Sequence, residues 1–509
     1  MKNFVRHIKL IYRLIFFDIN EKKFLLKNKS FKNEIKKKNK KKQNVLIQVL
    51  NDYYYLFYYK NLISKKFSNG AFERVGLWPY LYLPIRISIK PLENLKIIYN
   101  NFFLYLLKRK WSILYKSIGI NKIEDLSFDI SDDFRKYATI KKKENLLKLK
   151  VDKILVGDLI YDTYIRYRAS PVINIKDRFL YCYINKIKGC LKNLNNLSLK
   201  YNFKFFFTSY SSYLHHGLPA RFFLFKTSTI VYSGKNSIQY NQKLTKKHYL
   251  HTYNYQKFFK QKFLPKDKKF SFKKIKKILD EKYVGNVDER IKNSYMVTNP
   301  YSNKKYLNYY EDYKKLKDID GVLFTQSIYD SPHSWGTMLF NDYYDWIISS
   351  LNYIRKKKLK IAIKPHPNSI KKQPDIKNLF VELKRRYNDL IWFDEKLSNK
   401  LIFQNIKFGV SATGTILFDL AWHDVVPISC GQSPYSYFNF THNAKTKEQY
   451  YKFLLTGNKL KTKKTKKNKL ALFYFYQNFS NFDDIELGIR NHKTKKIDFK
   501  NSACLNKFN

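Results

Sequence analysis

The sequence predicts an α/β protein built from two doubly wound domains facing a cleft. Three observations predict it. Short apolar runs of strand length alternate with longer helical patterns. The alternation comes in two series, over residues 44–234 and 319–445, with a polar stretch between them. The chain has 509 residues, 44% of them hydrophobic, which suits two buried cores and excludes global disorder.

The elements follow in order. Residues 1–43 form a basic N-terminal extension. Its apolar stretch 8–17 is interrupted by Lys9 and Arg13, and no small-residue cleavage site follows, which argues against a signal peptide. Residues 4–17 read as an amphipathic helix lying on a bilayer or as a helix packed on the first domain. The basic run 36–42 reads as a solvated arm. The first domain opens with a strand over 44–50. Further on, a strand at 203–208, a helical pattern from Tyr213 and a strand at 229–232 make one αβ repeat of a parallel sheet. Residues 235–318 are rich in Lys, Asn, Gln and Tyr and read as an elaborated linker with one helix at 270–283.

The second domain reads as strand 320–325, helix 341–357, strand 359–364, helix 374–387 and strand 390–393. Strand 406–410, helix 415–422 and strand 425–429 complete it, and 446–509 is a basic helical tail. Short connections in βαβ order predict a doubly wound sheet, with ligands outside the carboxyl ends of the strands.

The charge balance is 99 Lys+Arg against 40 Asp+Glu, formally +59. It fits an anionic membrane surface. It fits phosphate neutralisation on nucleic acid, although no nucleic-acid module is recognisable and none is expected as a partner. It also fits a plain compositional bias toward Lys, Asn, Ile, Phe and Tyr. Cys182, Cys190, Cys430 and Cys504 are scattered without a CxxC pair, against a disulfide framework or a structural zinc and in keeping with a reducing cytoplasm. No apolar run is long enough to span a membrane.

Three motifs lie after predicted strands. Gly409-Val410-Ser411-Ala412-Thr413-Gly414-Thr415 passes from an apolar run through a turn of small hydroxyl residues into a helix. Gly414 admits close approach of backbone to a ligand, and Ser411, Thr413 and Thr415 supply hydroxyls, a pattern that suits phosphate; helix capping is the plainer use. Lys364-Pro365-His366-Pro367 stiffens a strand end around an imidazole able to bond a phosphate or protonate a leaving group. The segment after the 320–325 strand offers Asp330 and His333 for acceptor contact or base chemistry, or is an ordinary loop.

The strand ending in Lys364-Pro365-His366-Pro367, the run from Ser411 to Ser429, and Gly431-Gln432-Ser433-Pro434-Tyr435 together resemble the capsule and surface-polysaccharide biosynthesis proteins. These are glycosyltransferases of the GT-B type, with two Rossmann-like domains. The same pattern is similar to bacterial sialyl-, Kdo- and glycerol-phosphate transferases. The resemblance covers about 320–450 and, more weakly, 150–234. It implies that Lys364, His366, Pro367, Ser411, Thr413, Gly414 and Thr415 hold the phosphates of a nucleotide-sugar donor. It implies a ribose contact for Asp419, where the family usually carries Glu. Val156-Gly157-Asp158-Leu159-Ile160-Tyr161-Asp162 is similar to the acidic segment of the acceptor domain, which makes Asp158 or Asp162 the general base; His215 or His216 is the alternative.

The expected activity is transfer of a sugar from a nucleotide-activated donor to a capsule or lipopolysaccharide acceptor, glycan or lipid-linked. No cofactor is expected and no metal, since no Asp-x-Asp clamp is present. The expected place is the cytoplasm, with peripheral contact to the inner face of the membrane. A nucleotide-sugar epimerase, a polyol-phosphate transferase and a non-enzymatic polyanion-binding protein are the competing readings.

Overall fold

The computed structural model describes residues 8, 11–29, 43–51, 53–66, 72–79, 93–126, 140–168, 170–208, 211–224, 228–231, 242–243, 270–285, 301, 310–366, 374–437, 439–463, 467–478, 489–490 and 497–498. The chain divides into two compact units. One comprises residues 1–168, 174–249 and 480–509, the other 169–173 and 250–479.

The first unit holds strands β1 (Gln43–Gln48), β2 (Phe72–Trp78), β3 (Lys122–Asp125), the small β4–β5 hairpin (Lys150–Val151, Ile154–Leu155), β6 (Phe203–Thr208), β7 (Ser228–Val231) and β8 (Gln242–Lys243). Six of them form one sheet in the order β3-β2-β1-β6-β7-β8. All neighbours run parallel except β7 and β8. Val45, Leu46 and Ile47 are wholly buried, which is why β1 reads as an unbroken apolar run rather than an alternating one. The strand order reverses between β1 and β6.

The N-terminal segment belongs to this unit. Asp18 caps the helix Ile19–Lys27 in a reciprocal box with Glu21. Phe24 enters the core beside Phe57, and Glu21 pairs with Lys110 at 2.7 Å. Of the stretch 4–17, Leu14 and Phe17 pack on this core and Tyr12, Ile15 and Phe16 are exposed, while residues 4–7, 9 and 10 lie outside the described residues. The basic run 36–42 lies outside the described residues.

The second unit holds β9 (Gly321–Phe324), β10 (Ile361–Lys364), β11 (Phe408–Ser411), β12 (Val426–Ser429) and β13 (His442–Asn443). Their order is β10-β9-β11-β12-β13, all parallel. This is a doubly wound sheet, as is the first. Every residue of β9 to β12 is buried. The helix Tyr343–Lys356, capped by Asp342 onto the Asp345 amide, buries Trp346, Ile347 and Leu351; Pro374–Arg386 buries Ile376, Phe380 and Leu383. Both sets join the core against β9, β10 and β11.

Two expectations change. The run 390–393 makes a single parallel bridge, Trp392 to Ile363, with bonds of 2.8 and 2.9 Å around Ile363, and no full strand. The helix Phe272–Tyr283, read as part of a linker, buries Ile275, Ile278, Leu279 and Tyr283 within the second unit and packs on the helix Lys467–Asn478. β13 and the helix Asn399–Asn405 had no counterpart in the sequence reading.

Candidate functional site

In the second unit the chain passes from β9 to β10 on one side and then to β11 on the other. Ligands of open α/β sheets sit outside such a reversal, at the carboxyl ends of the strands. The segments leaving there carry Thr325 and Gln326 after β9, Lys364 and His366 at the end of β10, and Ser411 to Thr415 at the end of β11.

Hydrogen bonds tie these segments together. Gln326 Nε2 donates to Ser411 Oγ at 2.6 Å, and Ser411 Oγ donates to the Phe324 carbonyl at 3.3 Å. The His366 amide donates to Thr325 Oγ1 at 2.9 Å, and the Thr325 amide to the Lys364 carbonyl at 3.0 Å. Thr413 Oγ1 bonds the Tyr343 hydroxyl at 2.9 Å. A Cβ on residue 414 would come too close to Gln326 Nε2 and within 2.9 Å of Ser411 Oγ, so a larger residue there would have to displace the Gln326 side chain that bonds Ser411. Ser411 and Thr413 are buried and spent on holding the turn, whereas Gly414 is half-buried and Thr415 exposed. The hydroxyls expected to meet a ligand therefore divide into two that build the turn and one that faces outward. The helix after the turn, Ile416–Trp422, is seven residues long, and Thr415 makes no capping bond.

Lys364 is 3% exposed. Its Nζ donates to Asn399 Oδ1 at 2.6 Å, and among the described residues it pairs with no carboxylate. Burial lowers its pKa to about 7, with Asp394 and Glu395 working the other way at longer range. An ammonium in that position has given up hydration without gaining a counter-charge, which is costly. His366 is half-buried beside it, and Pro367 lies outside the described residues.

The structure corrects the ribose assignment of Asp419. Its carboxylate is buried and accepts from Lys282 Nζ at 2.5 Å, from the Tyr283 hydroxyl at 2.8 Å and from the Tyr301 hydroxyl. Burial first, and then Asp419, push both tyrosines well above their ordinary pKa. Asp419 thus anchors the helix Phe272–Tyr283 to the helix Ile416–Trp422.

The segment after β9 exposes Asp330, whose Oδ1 accepts from the Ser331 amide at 3.0 Å, and leaves His333 half-buried. The same segment pairs with the one after β12 through Gln432 N to Thr337 O at 2.8 Å and Leu339 N to Cys430 O at 3.2 Å.

Asp158 and Asp162 lie one turn apart on the helix Gly157–Arg168 of the first unit. Gly157 starts that helix where any Cβ would overlap the Leu146 carbonyl. Asp158 receives both arms of the Arg221 guanidinium, at 2.7 and 2.6 Å, and Arg221 is 2% exposed. The general-base reading of Asp158 gives way to that pairing, because both carboxylate oxygens are committed to an internal ion pair. Asp162 is buried. At the reversal of this sheet Thr208 Oγ1 donates to Gln48 Oε1, and Gln48 Nε2 donates to the His215 carbonyl at 3.2 Å. His215 sits in a single turn of π-helix, Tyr213–Gly217, that begins with Tyr213 at φ 59°. Burial, reinforced by Arg166, lowers the pKa of His215 to about 3.

Gln326 was not singled out in the sequence; its place two residues past a strand was the one signal it offered. Asn399, Tyr301 and Lys282 carry no local signal, since nothing in their neighbours marks what they touch. Among the described residues no cluster of three His, Cys, Asp or Glu side chains is placed to hold a metal ion. None of the described helices is long and apolar enough to cross a membrane.

No family model matches the chain, and no curated protein does. Among solved structures it is similar to the UDP-GlcNAc 2-epimerase of Methanocaldococcus jannaschii in complex with UDP-GlcNAc and UDP, at 8% identity and a TM-score of 0.25, covering 92% of this chain and 100% of that one. A glycosyltransferase from Rickettsia africae matches at 9% identity and a TM-score of 0.25, over 86% and 95%. The wall teichoic acid polymerase TagF matches at 8% and 0.20, over 97% and 98%. TM-scores this low fall below the level that marks a shared fold. The doubly wound architecture of this chain rests on its own two sheets.

Proposed function

We propose that the chain is a glycosyltransferase that binds the diphosphate of a nucleotide-activated sugar at the carboxyl edge of β9, β10 and β11. One observation carries the reading. Lys364 is a buried amine, with a neutral amide as its partner, at the end of the strand beside a topological reversal. A cation so placed is stabilised by an anion that shares its dry surroundings, and phosphate meets that requirement. At the same sheet edge, His366 after β10 and Gly414 and Thr415 after β11 offer an imidazole, half-buried backbone and an exposed hydroxyl.

Within this reading Lys364 and His366 balance the charge on the departing nucleotide, and His366 donates a proton to it. Asp330 and His333 remain the nearest candidates for contact with the acceptor hydroxyl. The transfer proceeds without a metal, and the acceptor is a surface polysaccharide or its lipid-linked precursor. The sequence pattern from Lys364 to Tyr435 supports both.

A membrane-bound acceptor gives the basic chain a surface to work on. Leu14 and Phe17 pack on the core of the first unit, while Tyr12, Ile15, Phe16 and Ile19 stay exposed on the same segment. On the helix Glu93–Ser117, Phe102, Tyr105 and Ile113 are exposed alongside Arg109 and Lys116. Aromatic and aliphatic side chains edged by basic ones suit the headgroup region of an anionic leaflet. On this reading the enzyme works at the cytoplasmic face of a membrane.

The test is thermal stabilisation by UDP-, CMP-, GDP- and CDP-linked sugars, beside Lys364→Met and His366→Ala. A ligand at a hundredfold its Kd adds about 2.7 kcal/mol to the native state. One nucleotide class should stabilise the wild type, and both variants should lose the response. Equal stabilisation of all three proteins by any polyanion would instead mark a bulk-charge binder.

A further inference from the structure

Lys364 and Asp419, a phosphate and a ribose contact in the sequence reading, are both buried in the second unit. Lys364 Nζ donates to Asn399 Oδ1 at 2.6 Å. Asn399 neighbours the Tyr301 hydroxyl, and that hydroxyl donates to Asp419. Asp419 also takes Lys282 and Tyr283. Asn399 and Asp419 are each at most 5% exposed, and Tyr301 2%. Asn399 and Tyr301 thus stand between the amine and Asp419, whose charge Lys282 already balances.

This arrangement has a chemical consequence. An amide carbonyl orients the amine and accepts one hydrogen bond from it in either protonation state. It supplies no negative charge to hold a proton there. The groups that face Lys364 from neighbouring segments are Asp394 and Glu395, at a distance where they act only through space, and His366 two residues on. Burial outweighs the two carboxylates. An arriving diphosphate would reverse the balance, because it brings negative charge into the same low-dielectric space.

We propose that this edge binds its ligand's diphosphate together with a proton: Lys364 passes from amine to ammonium as the anion docks, and Asn399 and Tyr301 are the positioning residues that hold it for that exchange. The inference rests on the reading of the edge as a diphosphate site. The proton comes from the buffer acid and forms an N–H bond on Nζ; no other bond changes. The charge that reaches the ligand is then created on binding, so the empty site carries no unpaired buried cation.

Calorimetry of the full-length protein tests this, with UDP-, CMP-, GDP- and CDP-linked sugars as probes. Their diphosphate and phosphate esters do not titrate near neutrality, so any protons exchanged belong to the protein. Binding enthalpy is measured at pH 6 and pH 8 in two buffers of different ionisation enthalpy. The expected result is uptake of about one proton per ligand at pH 8, falling toward none at pH 6. Lys364→Arg should bind without uptake, because its guanidinium is always charged. Asn399→Asp should also abolish uptake, because it gives Lys364 a permanent counter-charge of unchanged shape. Tyr301→Phe should shift the pH at which uptake appears. A residue of merely structural importance would change affinity and leave the proton count alone. Binding with no proton exchange at either pH overturns the inference and leaves the donor site standing. Binding of none of the four probes overturns both.

Discussion

Gln326 and Ser411 meet across the point where the strand order of the second sheet reverses, with Nε2 of one donating to Oγ of the other at 2.6 Å. Ser411 passes its own proton to the carbonyl of Phe324, so the carboxyl ends of β9 and β11 are stitched twice. The first sheet repeats the device: Gln48, at the end of β1, and Thr208, at the end of β6, bond across its reversal. In both places an amide and a hydroxyl close the gap that diverging connections leave. Ser411→Ala should cost about 1–3 kcal/mol, the penalty for a buried donor left without its acceptor. A double-mutant cycle with Gln326→Ala should give a coupling of about 0.5–3 kcal/mol in urea unfolding. Strict additivity would show that the bond contributes nothing.

Asp158 and Arg221 form a buried two-armed pair. Asp158→Ala should lose about 3–5 kcal/mol of stability, because it strands a guanidinium in the interior. Chemical denaturation reads this directly. A variant of native stability that lacks transferase activity would return Asp158 to the catalytic role first expected of it.

Acid should weaken the fold through its buried imidazoles. His215 has an ordinary value of 6.5 and a folded value of about 3. The unfolded chain therefore binds the proton first, and stability falls as pH drops from about 6.5 toward 3. This residue contributes a slope of up to about 1.4 kcal/mol per pH unit in that window and none above it. Burial lowers the pKa of His423 as well, with the same sign. Urea unfolding at pH 7.0 and 5.0 checks this, and His215→Gln should flatten the difference.

The exposed apolar side chains of the N-terminal segment make membrane contact measurable. Wild-type protein should sediment with vesicles containing anionic phospholipid and much less with purely zwitterionic ones, with the difference shrinking in high salt. Tyr12→Glu combined with Phe16→Glu should cut the bound fraction several-fold without altering the melting temperature, since both rings are exposed. Equal sedimentation of wild type and variant would leave the lysines alone responsible.

Much of the architecture was legible because buried parallel strands announce themselves. Val45 to Ile47, Val322 to Phe324 and Val410 are apolar on both faces, and nothing but a covered sheet uses them that way. The run at 390–393 has the same composition and makes only one bridge, Trp392 to Ile363 on the outer edge of β10. For the candidate site the sequence singles out residues that follow their strands directly, Lys364, His366 and Gly414, and the side chains of Gln326 and Ser411 limit what residue 414 can be. Asp419 was misread for the opposite reason. A carboxylate on a helix beside a phosphate turn suits a ribose, and the tyrosines and lysine that claim it lie more than a hundred residues away. Pairings at such separation leave no mark in the spacing of a single sequence.

The capture of Asp419 also decides where this chain can be cut. Composition suggests a seam before Ile319, and a fragment started there would look like a complete nucleotide-binding half. It would lack Lys282, Tyr283 and Tyr301, and its interior would hold a carboxylate with neither cation nor hydroxyl beside it. The compact second unit includes residues 250–318 as well as 319–479, so Lys282, Tyr283 and Tyr301 belong with it. A stretch that passes for spacer is the keel of the domain that follows it.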